Sequence, residues 1–291
     1  MSDSAAAVTI VEVGPRDGLQ NEARSVPTTA KIAFIEALAG AGLPVVEATS
    51  FVSPTAVPQL ADADEVMGGI RRRKGVRYPV LVPNERGLER ALAAGVDAIA
   101  LFTSATEAFC QANIRCTIDE SFARFQPVVE RARSEGVWVR GYVSVAFDCP
   151  YSGRVEPAAA VEVASRLFDL GCAEASLADT IGTARPEDVA RLVEVMSSQL
   201  PLARTALHFH DTQGLAIENV AVAYDAGVTI FDSSAGGLGG CPFAPGAPGN
   251  VATEAVLAYF ADRRIETGVD RAAVLAAVAS LRSAMQAGVA A

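Results

Sequence analysis

The sequence predicts an α/β protein folded as a single eight-unit β/α barrel, and three observations lead there. Short runs rich in Val, Ile and Leu recur along the chain, separated by stretches of helical periodicity, which is the grammar of a parallel sheet with crossover helices. A glycine stands at or just before the start of five of these runs, where a left-handed residue ends a helix. The composition, 51% hydrophobic and 20% charged, suits strands buried on both faces under a helical layer. Barrels of roughly 250 residues form one domain around one core. One domain over residues 1–291 is therefore expected.

The eight runs are Val8 to Val13, Val45 to Ala48, Val80 to Val82, Ala98 to Phe102, Val137 to Val145, Ala173 to Leu177, Ala206 to His210 and Thr229 to Asp232. The glycine turns read Ala41-Gly42-Leu43, Ala94-Gly95-Val96, Glu135-Gly136-Val137, Leu170-Gly171-Cys172 and Ala226-Gly227-Val228. An open doubly wound sheet is the structural rival, and it would carry a glycine fingerprint after its first strand; Val13-Gly14-Pro15-Arg16 is not one. The run Arg71-Arg72-Arg73-Lys74 precedes Gly75 at an expected helix end, where cations complement the helix dipole. It reads as a solvated terminus ahead of a phosphate site. Ala272 to Ala287 reads as an Ala-rich helix.

Twenty-four Lys and Arg against 34 Asp and Glu give a formal charge of −10, a field that repels nucleic acid and anionic membranes. Neither is an expected partner, and a polyanionic ligand would need a local basic patch. No stretch reaches the roughly 18 apolar residues of a spanning helix. Met1 to Ala7 carry neither basic charge nor a long apolar run, so no targeting peptide is expected. The five cysteines are an odd number without a C-x-x-C pair, which argues against a disulfide framework and for a cytoplasmic setting.

In a β/α barrel the reactive groups sit at the carboxyl ends of the strands. Here the first run leads to Arg16-Asp17, the second ends near Glu47, the third leads to Asn84, the sixth to Asp179, the seventh ends in His208-Phe209-His210-Asp211 and the eighth in Asp232. Both histidines of the chain lie on one strand two residues apart, so alternation points them to one side. With an aspartate from a neighbouring strand they form a site for a divalent cation; two buried histidines bonded to backbone carbonyls are the competing reading. Asp17 follows the first strand, which adjoins the eighth in a closed barrel, and can complete the site from the side. Arg16 is costly to bury unpaired, so Glu47 or an anionic substrate is its expected partner.

The segment Ala235 to Gly246 is too glycine-rich for helix or strand and reads as an active-site loop over the barrel mouth. Cys241 within it is either a proton-transferring thiol or a tolerated cysteine. Gly249-Asn250 opens an expected helix, and the residues alone favour Asn250 as its N-cap over an oxygen ligand.

Taken in order, these segments resemble the 3-hydroxy-3-methylglutaryl-CoA lyase family, metallolyases on a (β/α)8 TIM barrel. The matching blocks are Val13-Gly14-Pro15-Arg16-Asp17-Gly18-Leu19-Gln20-Asn21-Glu22, Glu47-Ala48-Thr49-Ser50-Phe51-Val52-Ser53-Pro54, Arg140-Gly141-Tyr142-Val143-Ser144, Cys149-Pro150-Tyr151, Leu177-Ala178-Asp179-Thr180-Ile181-Gly182, His208-Phe209-His210-Asp211-Thr212, the glycine loop through Cys241-Pro242, and Gly249-Asn250-Val251-Ala252-Thr253-Glu254. The resemblance implies Asp17, His208, His210 and Asn250 as ligands of a divalent metal cation, Mg2+ or Mn2+, which reverses the cap preference for Asn250. It implies Arg16 as the group facing a thioester oxygen and Cys241 as the thiol on the closing loop. Glu47, Gln20 and Asp179 are implied as polar partners that shape the site. An acyl-CoA substrate and a homodimer are implied as well, with the initial base open between His208 and a metal-bound water.

Overall fold

The computed structural model describes residues 8–23, 25–239 and 249–287. Its strands are β1 (Thr9–Glu12), β2 (Val45–Val46), β3 (Thr49–Ser50), β4 (Val80–Leu81), β5 (Ala98–Ser104), β6 (Trp138–Ser144), β7 (Asp148–Cys149), β8 (Gly153–Arg154), β9 (Glu174–Asp179), β10 (Thr205–Phe209) and β11 (Ile230–Ser233). Nine of them form one parallel sheet in the order β2-β1-β11-β10-β9-β6-β5-β4-β3. The segments at its two ends, β2 and β3, are separated in the chain only by Glu47 and Ala48. The Glu47 amide donates to Glu12 O at 2.8 Å and the Ala48 amide to Pro79 O at 2.9 Å. The sheet therefore curls until one stretch of chain touches both flanks, consistent with the expected barrel.

Each of the eight expected runs overlaps a strand of this sheet; the second contains β2 and stops at Ala48, just before β3. The helices between them are α1 (Thr28–Gly40), α2 (Ala63–Gly69), α3 (Glu85–Ala93), α4 (Glu107–Ile114), α5 (Ile118–Ser134), α6 (Pro157–Leu170), α7 (Pro186–Gln199), α8 (Ala216–Asp225), α9 (Thr253–Asp262) and α10 (Arg271–Ala287). Local chemistry starts several of them. Asn84 caps α3 by accepting from the Gly87 amide at 3.0 Å, and Thr117 and Glu120 form a capping box on α5. The five glycines expected at turns all have positive φ, from 68° to 115°. At Gly42 the requirement is double, because a Cβ there would also meet Gly268 O at 2.4 Å.

Ile10, Val46, Val80, Ile99, Val139, Leu177, Leu207 and Phe231 from the strands join the inner faces of the helices in one large core. The basic run corrects its expected placement, since α2 already ends at Gly69. Its guanidinium groups serve neighbouring helices instead. Arg72 donates to Ala94 O at 3.0 Å past the end of α3, Arg73 to Ala39 O at 3.4 Å near the end of α1, and Arg71 pairs with Glu36 at 2.7 Å. The β7–β8 hairpin after β6 has no counterpart among the expected runs, because its strands are two residues each and polar. Among the described residues no helix is long and apolar enough to cross a membrane.

Candidate metal centre

The centre is assembled at the carboxyl ends of β1 and β10 and on the segment that returns after β11. Beyond Glu12 the chain enters a single turn over Gly14–Gly18, which carries Arg16 and Asp17. Strand β1 pairs with β11 and β11 with β10, so this turn lies close to the histidines. Their rings sit 5.3 Å apart between centroids, and both residues are buried. One ligand atom from each of Asp17, His208 and His210 falls within 4.8 Å of the others.

Asn250 joins them through the main chain. It forms a bridge with His210, and the flanking bonds from Asp211 N to Gly249 O at 2.7 Å and from Val251 N to Phe209 O at 3.0 Å hold the segment beside β10. Helix α9 begins three residues later, with Ala252 in the cap position, so the cap reading of Asn250 is corrected. Its Nδ2 donates to Asp17 Oδ2 at 2.8 Å and to Leu238 O at 3.1 Å, while Oδ1 is buried without a hydrogen-bond partner. Nδ1 of His210 is likewise buried and unpartnered. Burial, followed by the neighbouring His208, pushes the His210 imidazole down to about 4, so it is neutral and keeps a lone pair at neutral pH. A neutral imidazole, a carboxylate and a bare amide oxygen are what a hard or borderline dication accepts. The donor set fits such an ion.

Arg16 stands directly beside the donors. Its Nη1 reaches Asp17 Oδ1 at 2.6 Å and its Nη2 reaches Glu47 Oε2 at 2.9 Å, so the expected partner is present. Burial would lower its pKa, yet Glu47 and Asp17 outweigh that and hold the guanidinium charged. Burial likewise opposes the charge on Asp17, but Arg16 first and His208 next bring its carboxyl down to about 2. Nε of Arg16 has no partner, leaving a donor unspent. Arg16, Asp17 and both histidines open on a cavity of about 640 Å³ that also exposes Gln20, Asn113, Arg124 and Tyr151. Arg124 and Arg16 are its only cationic lining residues among those described.

Asp179 lies behind this cavity. Its carboxylate accepts from the amides of Thr183 and Ala184, both at 3.1 Å, which organises the turn after β9, and burial raises it to about 6. Asn84 caps α3 and also lines the cavity. Cys241 falls outside the described residues. Sequence reasoning assigned no role to a buried network beneath the donors. Arg140 bonds Glu174, Tyr142 and Asp232, and the Tyr142 hydroxyl donates to Glu47 Oε2 at 3.2 Å. An arginine inside an otherwise apolar strand is the signal that points to it.

Glu12 is a second such group. Fully buried, it accepts from Gly14 N at 2.8 Å, Ala235 N at 2.9 Å and the Thr253 hydroxyl at 2.7 Å, so one carboxylate ties the Arg16 turn to the segments around β11 and α9. Burial raises its pKa from 4.5 to about 7 against these three bonds. The unfolded chain then loses this proton first, and Glu12 lowers stability as pH rises between those two values, by about 3 kcal/mol in full. Glu12→Gln imitates the protonated acid, its oxygen accepting both amides and its NH2 donating to Thr253. Thermal melts across this range should show a flatter pH dependence for the variant; identical slopes would remove Glu12 as the source.

The HMGL-like family model matches residues 7–281. The chain is similar to a protein of Danio rerio named "3-hydroxy-3-methylglutaryl-CoA lyase, cytoplasmic", with 52% identity over 270 residues, 93% of this chain and 81% of the other. A solved structure of the HMG-CoA lyase from Brucella melitensis superposes with a TM-score of 0.94 at 51% identity, covering 97% of this chain and all of that one. An HMG-CoA lyase of Acinetobacter baumannii, solved in complex with coenzyme A and 3-methylmalate, gives a TM-score of 0.92 at 38% identity over 98% of this chain and 93% of its own.

Proposed function

The chain belongs to the HMGL-like family, and from that premise we propose that it cleaves (S)-3-hydroxy-3-methylglutaryl-CoA to acetoacetate and acetyl-CoA by a retro-Claisen reaction. The observation that carries the reading is the meeting of Asp17, His208 and His210, with the Asn250 amide bonded to Asp17 and a buried guanidinium alongside. The fold it implies is one (β/α)8 barrel domain with a glycine-rich loop over its mouth. An acyl-CoA substrate is supported by the coenzyme A held by the Acinetobacter relative. A cytoplasmic homodimer is the accompanying expectation, the compartment supported by the Danio relative's name.

The reaction removes the proton of a tertiary alcohol, breaks the adjacent carbon–carbon bond and leaves the enolate of a thioester. Asp17, His208, His210 and Asn250 would hold the divalent cation, Mg2+ or Mn2+, whose Lewis acidity makes such an alcohol easier to deprotonate. Arg16, fixed from two sides by Asp17 and Glu47, aims its remaining donors at the thioester oxygen, where charge develops as the bond breaks. Gln20 binds the substrate from the cavity wall. Tyr142 donates to the same Glu47 oxygen that Arg16 contacts, and Asp179 keeps the turn after β9 in place. Cys241, carried on the loop, delivers a proton to the enolate carbon.

A coupled assay of acetoacetate release tests the reading. Release from the methylglutaryl thioester should be lost with a chelator and restored by Mn2+. Metal-loaded protein that cleaves no thioester would defeat it, and faster cleavage of a longer-chain 3-hydroxyacyl analogue would move it to another substrate.

A further inference from the structure

Asp232 lies fully buried on β11, one strand from His208, and the two are register partners, so their side chains leave the sheet together. Its carboxylate is surrounded by donors. Arg140 Nη2 approaches Oδ1 at 2.6 Å, and Oδ2 receives Arg140 Nη1 at 3.2 Å and the Ser176 hydroxyl at 2.9 Å. The remaining contact is with Nδ1 of His208, 3.4 Å from Oδ2.

A carboxylate paired to arginine offers only acceptors, so the nitrogen facing it has to carry the proton. We propose that Asp232, itself held by Arg140, is a positioning residue that locks His208 in the Nδ1–H tautomer and so leaves Nε2 as the nitrogen with a lone pair for the cation. The inference rests on the metal-centre reading given above. Arg140 is fixed in turn, its Nε on Glu174 at 2.6 Å and its Nη1 on the Tyr142 hydroxyl at 2.8 Å. The chain of contacts continues through Glu47 and Arg16 to Asp17, so it starts and ends on a proposed ligand. His210 has no equivalent support, since its buried Nδ1 has no partner.

The two imidazoles are thus unequal: one has a carboxylate facing its Nδ1 before any ion arrives, the other has no hydrogen-bond partner there. A locked His208 has both nitrogens committed once the cation binds. It then has no lone pair with which to take the substrate proton, and that step falls to another group.

With only two histidines in the chain, 15N-histidine labelling yields two pairs of ring-nitrogen signals, Nδ1 and Nε2 of each imidazole. In metal-free protein His208 should show a protonated Nδ1 and a bare Nε2. Asp232→Asn should shift it away from that tautomer and weaken Mn2+ binding by roughly 10- to 100-fold, the usual cost of losing a ligand's outer partner. A proton found on Nε2 in the unmodified protein overturns the lock with no variant needed. So does a variant with unchanged tautomer and affinity. Unmodified protein that binds no Mn2+ overturns the metal centre itself, a failure that the tautomer spectrum separates from failure of the lock.

Discussion

Arg16→Met is expected to lower turnover by at least about 100- to 1000-fold, the loss that follows removal of one fixed donor from a developing oxyanion. The expectation follows from how the guanidinium is held. It is 8% exposed, two of its nitrogens are tied to carboxylates, and it borders the cavity with a donor unspent. Methionine fills a similar volume without charge, and Asp17 keeps its bond from Asn250. The variant should therefore bind Mn2+ as the unmodified protein does. Glu47 would retain only Tyr142 as its hydrogen-bond partner, so stability falls too, within the roughly 3–5 kcal/mol typical of a broken buried pair. Metal content and a thermal melt recorded beside the kinetics separate these effects. Turnover near that of the unmodified enzyme would remove Arg16 from the chemistry.

His210→Ala is expected to lose the cation, and activity with it. Removing a ligand should weaken binding by more than the roughly 10- to 100-fold that an outer partner costs. The substitution leaves the bonds of Asp211 to Gly249 and of Val251 to Phe209 untouched, so Asn250 stays beside β10. Loss of metal is then loss of a donor rather than collapse of the segment. Metal content by emission spectrometry after exhaustive dialysis checks this, and full occupancy would strike His210 from the ligand set.

The fold was legible wherever its cause was local. Apolar runs and turn glycines depend on neighbours a few residues away, and Gly42, Gly95, Gly136, Gly171 and Gly227 all take the conformation the sequence implies. The histidine pair was legible for the same reason, as alternation along one strand sets it. What escaped depends on pairing across the sheet. Arg140 and Asp232 lie 92 positions apart, and nothing near either announces the other. The Arg71 run was misplaced because α2 stops at Gly68-Gly69, two positions before it, and its carbonyl partners belong to α1 and α3. Asn250 misled by its company, since a polar residue after glycine and shortly before a helix looks like a cap; the family resemblance favoured a ligand instead, and in the structure Ala252 holds the cap position while Asn250 bridges to His210.

The bond from Asn250 to Asp17 joins positions 233 residues apart, which sets a schedule for biosynthesis. At roughly 5–20 residues per second, a ribosome needs about 12 to 47 seconds between making one and the other. Throughout that interval the emerging chain carries Asp17 without Asn250, and on the proposed reading the ion can be captured in full coordination only once Asn250 has been made. Complete coordination of the proposed ion then waits on the synthesis of Asn250, an order accessible to pulse labelling of ribosome-bound chains.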